Sequence, residues 1–154
     1  MSALLPGPTN AGYRGSPAAA WFLLLLGIGW VGPGLIHVFL PDGGAGVIAG
    51  IDLGDNPRAL IGAFAWAGST QIAHGLTMIA IALRYRPLVP LLLAISLIER
   101  SLLTLTGWVT KPPIGSHHPP EHYGSAILVP LIGLFLWLAL RHKDSRTTPT
   151  GARS

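Results

Sequence analysis

Four long apolar stretches constrain this 154-residue chain more than any other feature. They run over residues 18–40 (AAAWFLLLLGIGWVGPGLIHVFL), 57–83, 88–110 and roughly 124–140. Each reaches or approaches the ~20 residues a helix needs to cross ~30 Å of hydrocarbon. Backbone groups in lipid have no water to bond, so runs of this kind must satisfy them internally as helices. Half the residues are hydrophobic and only 10% are charged, whereas a soluble domain is about a quarter charged. The apolar residues must therefore face something other than water. The expected fold class is all-α: a four-helix transmembrane bundle running up-down-up-down, embedded in a lipid bilayer as a single domain.

Residues 1–17 are rich in Gly, Pro and Ser, carry Arg14 as their one charge and show no periodicity. They read as a flexible tail, and residues 141–154 as a basic one. The first stretch is too long for the apolar part of a cleaved leader and lacks a convincing small-residue cleavage site. Its Gly27, Gly29, Gly32, Pro33 and Gly34 predict a kink or a close helix–helix approach. The fourth stretch is the shortest and contains Pro130. No internal repeat is visible.

Basic residues set the orientation. With the amino terminus in the cytoplasm, Arg14, Arg84, Arg86, Arg141, Lys143, Arg146 and Arg153 fall inside, against Arg58 and Lys111 outside. That is a positive-inside pattern with both termini cytoplasmic. Tyr85 and Trp137 then suit the inner interface, and Trp108 and Tyr123 the outer. The sequence pI of about 10.1 does not indicate nucleic acid, because the basic residues form no stripe and interleave with no aromatics. Absent cysteine rules out disulfides and thiolate metal sites. Arg outnumbers Lys eight to two, a bias common in GC-rich bacterial genomes and a hint of bacterial origin.

Polar residues inside the second and third stretches are the chief functional signal. Gln71 stands fourteen residues before Tyr85 and Glu99 fourteen after it. At 1.5 Å per residue both lie ~21 Å from the turn, near mid-membrane. The same count sets Thr70 opposite Arg100 and His74 opposite Ser96. One charge at a helix centre costs ~2.5–3.5 kcal/mol even on lenient scales, so Glu99 and Arg100 should face inward and find partners. Glu99 is expected to reach His74 or Gln71, and Arg100 to reach Thr70, Ser96 or backbone carbonyls. A register-fixing network and a functional site are both open readings. As a site, Glu99 and His74 would act as acid and base or relay a proton. Arg100, Gln71, Thr70 and Ser96 would hold a ligand's polar head.

Two outer loops complete the inventory. Residues 41–56 are expected to be flexible and acidic, with Asp42, Asp52 and Asp55. Residues 111–123 (KPPIGSHHPPEHY) carry His117, His118, Glu121 and His122, donors that suit a divalent metal. Pro119 and Pro120 argue against a helix there. An exposed, proline-stiffened turn is the plainer reading. His37 reads as an interface residue and His142 as a helix-terminal one. No phosphate-binding loop, nucleophile elbow or dinucleotide fingerprint occurs.

The segment Asn56-Pro57-Arg58-Ala59 with Gly62, the basic turn RYRPLVP and Arg100 within the third stretch together resemble small bacterial four-helix membrane proteins near the DoxX-like group. The resemblance spans residues 18–140. It implies a four-helix bundle in the bacterial inner membrane and carries over no catalytic residues.

Three functions fit these residues. The leading one is non-enzymatic: a membrane module binding a small hydrophobic ligand or a partner helix. The runner-up is an enzyme, an isomerase or oxidoreductase acting on a lipid or quinone through Glu99 and His74. The third is a proton-coupled transporter subunit, for which a homodimer is expected.

Overall fold

A computed structural model describes residues 6–113 and 118–141. The described residues form four α-helices and contain no strand. Helix α1 spans Pro17–Phe39, α2 Pro57–Arg84, α3 Val89–Leu105 and α4 Pro120–Leu140. A short π-helical turn, Thr106–Thr110, extends α3. Each helix carries Pro at N1 or N2, where the missing N–H is an orphan in any case and φ is already helical.

The start of α4 corrects the sequence reading. Pro119 and Pro120 do not keep the chain out of a helix. Pro120 opens one, and α4 begins four residues before the expected position. Glu121, expected in the outer loop, consequently sits in the first helical turn, where a negative charge suits the helix dipole.

Among the described residues three helical stretches are long and apolar enough to cross a membrane: Pro17–Phe39, Arg86–Thr110 and Pro120–Leu140. Helix α2 is the exception to the expected four. Its 28 residues suffice in length, but Ser69, Thr70, Gln71, His74 and Thr77 dilute its apolar content. Large apolar side chains nevertheless face outward on every helix, including Leu25, Ile28, Trp66, Leu76, Ile98 and Ile127. On a protein in water that distribution would be an aggregation liability. In lipid it is the ordinary exterior of a membrane protein.

Helix α2 packs chiefly on α1 and only touches α3. The reason is a glycine seam. A Cβ built on Gly27 would lie 2.8 Å from the Gly75 carbonyl oxygen, and one on Gly34 2.9 Å from that of Gly68. The reciprocal distances are 2.7 Å in both cases. As numbers rise on α1 they fall on α2, and the seven-residue spacing matches on both. Lipid tails are as apolar as leucine, so close packing must hold membrane helices together. Glycine permits that approach. Gly29 and Gly32 have open space where a Cβ would stand and contribute nothing to the seam.

Helix α4 closes on α1 and α3. Phe22 stacks on Phe135 with ring centroids 4.0 Å apart, and Leu23, Met78, Val89, Leu93 and Ile132 fill the core between them. Thr9 and Asn10 make hydrogen bonds to the end of α2 and the turn after it. The Thr9 N–H donates to the Arg84 carbonyl, and Asn10 donates to the Leu83 carbonyl while accepting from the Arg86 N–H. Residues 6–13 thereby bind the α2–α3 turn.

Candidate functional site

Arg100 is the centre of the buried polar groups. It projects from α3 and is 4% exposed. Its partners are not the expected Thr70, Ser96 or carbonyls. Arg100 Nη1 donates to Glu121 and to Ser125 Oγ on α4, and Nη2 lies 4.0 Å from Glu99 Oε1. The guanidinium stacks on the face of Trp30 from α1, 3.7 Å from the ring centroid. Three helices therefore contribute to one cation, as a charge held inside a bundle requires.

Glu99 does meet His74, with Nδ1 to Oε2 at 3.9 Å, and both side chains are partly exposed. The hydroxyl groups behave differently from the sequence expectation. Thr70 is exposed and donates to the Ala67 carbonyl of its own helix. Ser96 is buried and donates back to Leu92. Short hydroxyl side chains in helices can satisfy themselves on the preceding turn, so neither joins the Arg100 cluster. Gln71 does reach it: Gln71, Trp30, Arg100, Glu121, Gly29 and Pro33 all line a void of about 70 Å³.

A larger cavity of about 470 Å³ adjoins this void, sharing Pro33, Gln71 and Glu121 as walls. It lies where α1 ends and α4 begins. Ile36, Ile48, Ile51, Phe64 and Leu103 supply its apolar walls, and His37, Lys111 and His122 its polar edge. The size falls within the ~300–1,000 Å³ of small-molecule sites, which are mainly apolar with a few placed polar groups.

The loop over this cavity is built, not slack. Asp42 accepts hydrogen bonds from the backbone N–H groups of Gly44, Gly46 and Val47 at 2.8, 3.0 and 2.8 Å. Those donors, Val47 first, hold its carboxyl below the usual carboxylate range. Gly43 and Gly44 adopt φ of 64° and 76°, which other residues reach only with strain. His37 Nδ1 lies 2.6 Å from the Gly43 carbonyl oxygen, tying the loop to α1.

The expected metal donors do not converge among the described residues, where no group of three or more His, Cys, Asp or Glu could hold an ion. Glu121 turns inward to Arg100, which removes the carboxylate from the set. His118 and His122 bond each other, Nδ1 to Nδ1 at 3.0 Å, and Trp108 stacks on His118. His117 lies outside the described residues, as do His142 and the basic residues beyond Arg141.

Sequence reasoning missed Glu121 and Ser125 as partners of Arg100, and Trp30 as its platform. A signal for Glu121 was present: Pro-Glu ahead of an apolar run is a helix start with an acid in its first turn. Trp30 carried none, because nothing in a lone tryptophan tells a stacking partner from a core residue. No protein-family model, curated protein or solved structure matches the chain.

Proposed function

We propose that this protein is a non-enzymatic membrane module that binds a small hydrophobic ligand in the cavity between α1, α2 and α4. The observation that carries the reading is the cavity itself, an apolar chamber whose inner end abuts the buried Arg100 cluster. A network serving only to fix helix register would leave its polar atoms bonded and no chamber beside them. Here Trp30 Nε1, Gln71 Oε1 and Arg100 Nε are buried without hydrogen bonds.

The proposed setting is the bacterial inner membrane, with four spans in up-down-up-down order and both termini cytoplasmic. Seven basic residues against two support the orientation. So does the binding of residues 6–13 to the Arg84–Arg86 turn, which favours the amino terminus and that turn sharing one side. The opposed numbering of the glycine seam and the exposed Trp66 and Leu76 support α2 as a fourth span, packed along its glycine face on α1.

A second reading, an acid–base enzyme acting on a lipid or quinone, draws on the partly exposed His74–Glu99 pair. Neither residue lines the cavity, so one experiment separates the two. Protein in lipid nanodiscs is irradiated with a dodecane-chain probe carrying a mid-chain diazirine, and labelled peptides are mapped by mass spectrometry. Labelling is expected on the peptides bearing Ile36, Phe64 and Leu103. It should be lost in Leu103→Trp, which fills the chamber, and kept in Glu99→Gln. Labelling that survives Leu103→Trp but disappears in Glu99→Gln moves the site to the His74–Glu99 pair.

A further inference from the structure

The small void beside Arg100 has a hydrogen-bonding inventory that specifies a head group. Arg100 engages Glu121 and Ser125 through Nη1 and leaves its Nε–H unbonded, and the Trp30 Nε1–H is likewise unbonded. Both residues are 4% exposed, so water from outside does not serve these donors. On the accepting side, Gln71 Oε1 is buried and unbonded. Pro33 has no N–H, which deprives the Gly29 carbonyl of its regular helical donor. All five residues line the void. Residues carrying two unbonded donors, one unbonded acceptor and a carbonyl without its regular helical donor therefore line a void of about 70 Å³.

A buried polar group left unpaired costs ~1–3 kcal/mol, so the site favours an occupant that pairs several at once. A hydroxyl donates one hydrogen bond and accepts two. It can accept from Arg100 Nε–H and Trp30 Nε1–H while donating to Gln71 Oε1 or the Gly29 carbonyl. A carboxylate head only accepts, and it would sit beside a cation already countered by Glu121 and, at 4.0 Å, by Glu99. An ether accepts but cannot donate. Resting on the cavity reading above, we infer that the ligand is a long-chain alcohol: an apolar body in the 470 Å³ chamber with a single neutral hydroxyl in the Arg100 void.

Competition against the dodecane-chain diazirine probe in nanodiscs tests this, with unlabelled competitors compared at equal mole fraction in the bilayer. Dodecan-1-ol is expected to displace the probe at least tenfold more effectively than 1-methoxydodecane or dodecanoate. Trp30→Phe keeps the ring under Arg100 and removes only its donor, and Gln71→Met removes the amide at similar size. Each should shrink the alcohol-over-ether preference at least threefold while labelling of the chamber persists. Equal displacement by alcohol and ether overturns the inference, leaving the void to a resident water and the cavity reading intact. Preference for dodecanoate overturns it in favour of an anionic head. If the probe labels no chamber peptide in the wild type, the cavity reading itself fails. The wild-type competition alone decides the matter should either variant fold poorly.

Discussion

Replacing Gly75 by alanine adds one methyl group to a point of close approach in the α1–α2 seam. Its carbon would stand 2.7 Å from the Gly27 carbonyl oxygen, 2.8 Å from Val31 Cγ2 and 3.0 Å from Trp30 Cβ. The first and last of these belong to the backbone or the base of a side chain and cannot swing away. Contacts at carbon–carbon distances of about 3.5–4.0 Å are comfortable, so α1 and α2 must separate by roughly 0.6 Å or more. Overpacking of this kind costs ~1–3 kcal/mol. Against it stands the ~0.8–1.0 kcal/mol by which alanine favours a helix interior over glycine. Gly62 on the same helix has nothing within reach of a Cβ, so Gly62→Ala gains the propensity and meets no clash. Comparing the two variants cancels the propensity and isolates the seam, with Gly75→Ala expected to be ~1–3 kcal/mol less stable than Gly62→Ala. Unfolding by SDS in mixed micelles, followed by tryptophan fluorescence, supplies the measurement. Gly27→Ala combined with Gly75→Ala should cost less than the two separately, because one helix displacement relieves both clashes. Equal stability of Gly75→Ala and Gly62→Ala would refute the close approach.

Two other predictions concern charges. Removing Glu121 leaves the buried Arg100 without its main partner; breaking a buried pair costs ~3–5 kcal/mol, and because the Glu121 side chain is 50% exposed, the expected loss for Glu121→Ala is about half that. The same SDS unfolding should show Arg100→Met with Glu121→Met recovering most of it, and a double variant no better than Glu121→Ala would show that the pair is not what holds α3 to α4. For Asp42, the folded pKa lies below the ordinary value, so its contribution to loop order is present above an unfolded pKa near ~3.9. That contribution fades as pH falls through the lower folded pKa. Hydrogen exchange at Gly44, Gly46 and Val47, corrected for intrinsic rates, should therefore lose protection in strong acid, and Asp42→Asn should lose part of it already at neutral pH; protection unchanged in that variant would contradict the reading.

Much of the architecture was legible because lipid permits few solutions. Apolar runs of bilayer length had to be helices, and their positions follow from the sequence to within a few residues, α4 excepted. Counting from Tyr85 set Gln71 opposite Glu99 and His74 opposite Ser96, whereas the structure brings His74 to 3.9 Å from Glu99. What counting cannot supply is azimuth. Two residues at one depth on neighbouring helices face each other only if nothing rotates those helices away. The heptad-spaced glycines of α1 and α2 do rotate them, turning α2 toward α1. Thr70 was lost from the expected layer for that reason, and Ser96 because a hydroxyl can bond its own helix.

Helix α2 is less apolar than its three neighbours for a reason consistent with the proposed site. A span facing only lipid gains nothing from Gln71, and a buried amide oxygen without a partner costs free energy. Gln71 lies on both the chamber and the small void, and the seam glycines on either side, Gly68 and Gly75, hold that part of α2 against α1 near Trp30. The same polar content that sets α2 apart from the three apolar stretches thus places Gln71 on the void that Arg100 lines. Pro33 acts likewise on α1. It removes the regular helical donor of the Gly29 carbonyl, and Gly29 lines the same void. Two helices each forgo some stability at one place, beside residues Trp30 and Arg100 that carry unbonded donors. Three of the seven buried side-chain atoms without a hydrogen bond among the described residues belong to residues lining this void of about 70 Å³, the grouping that a site for a polar head would use.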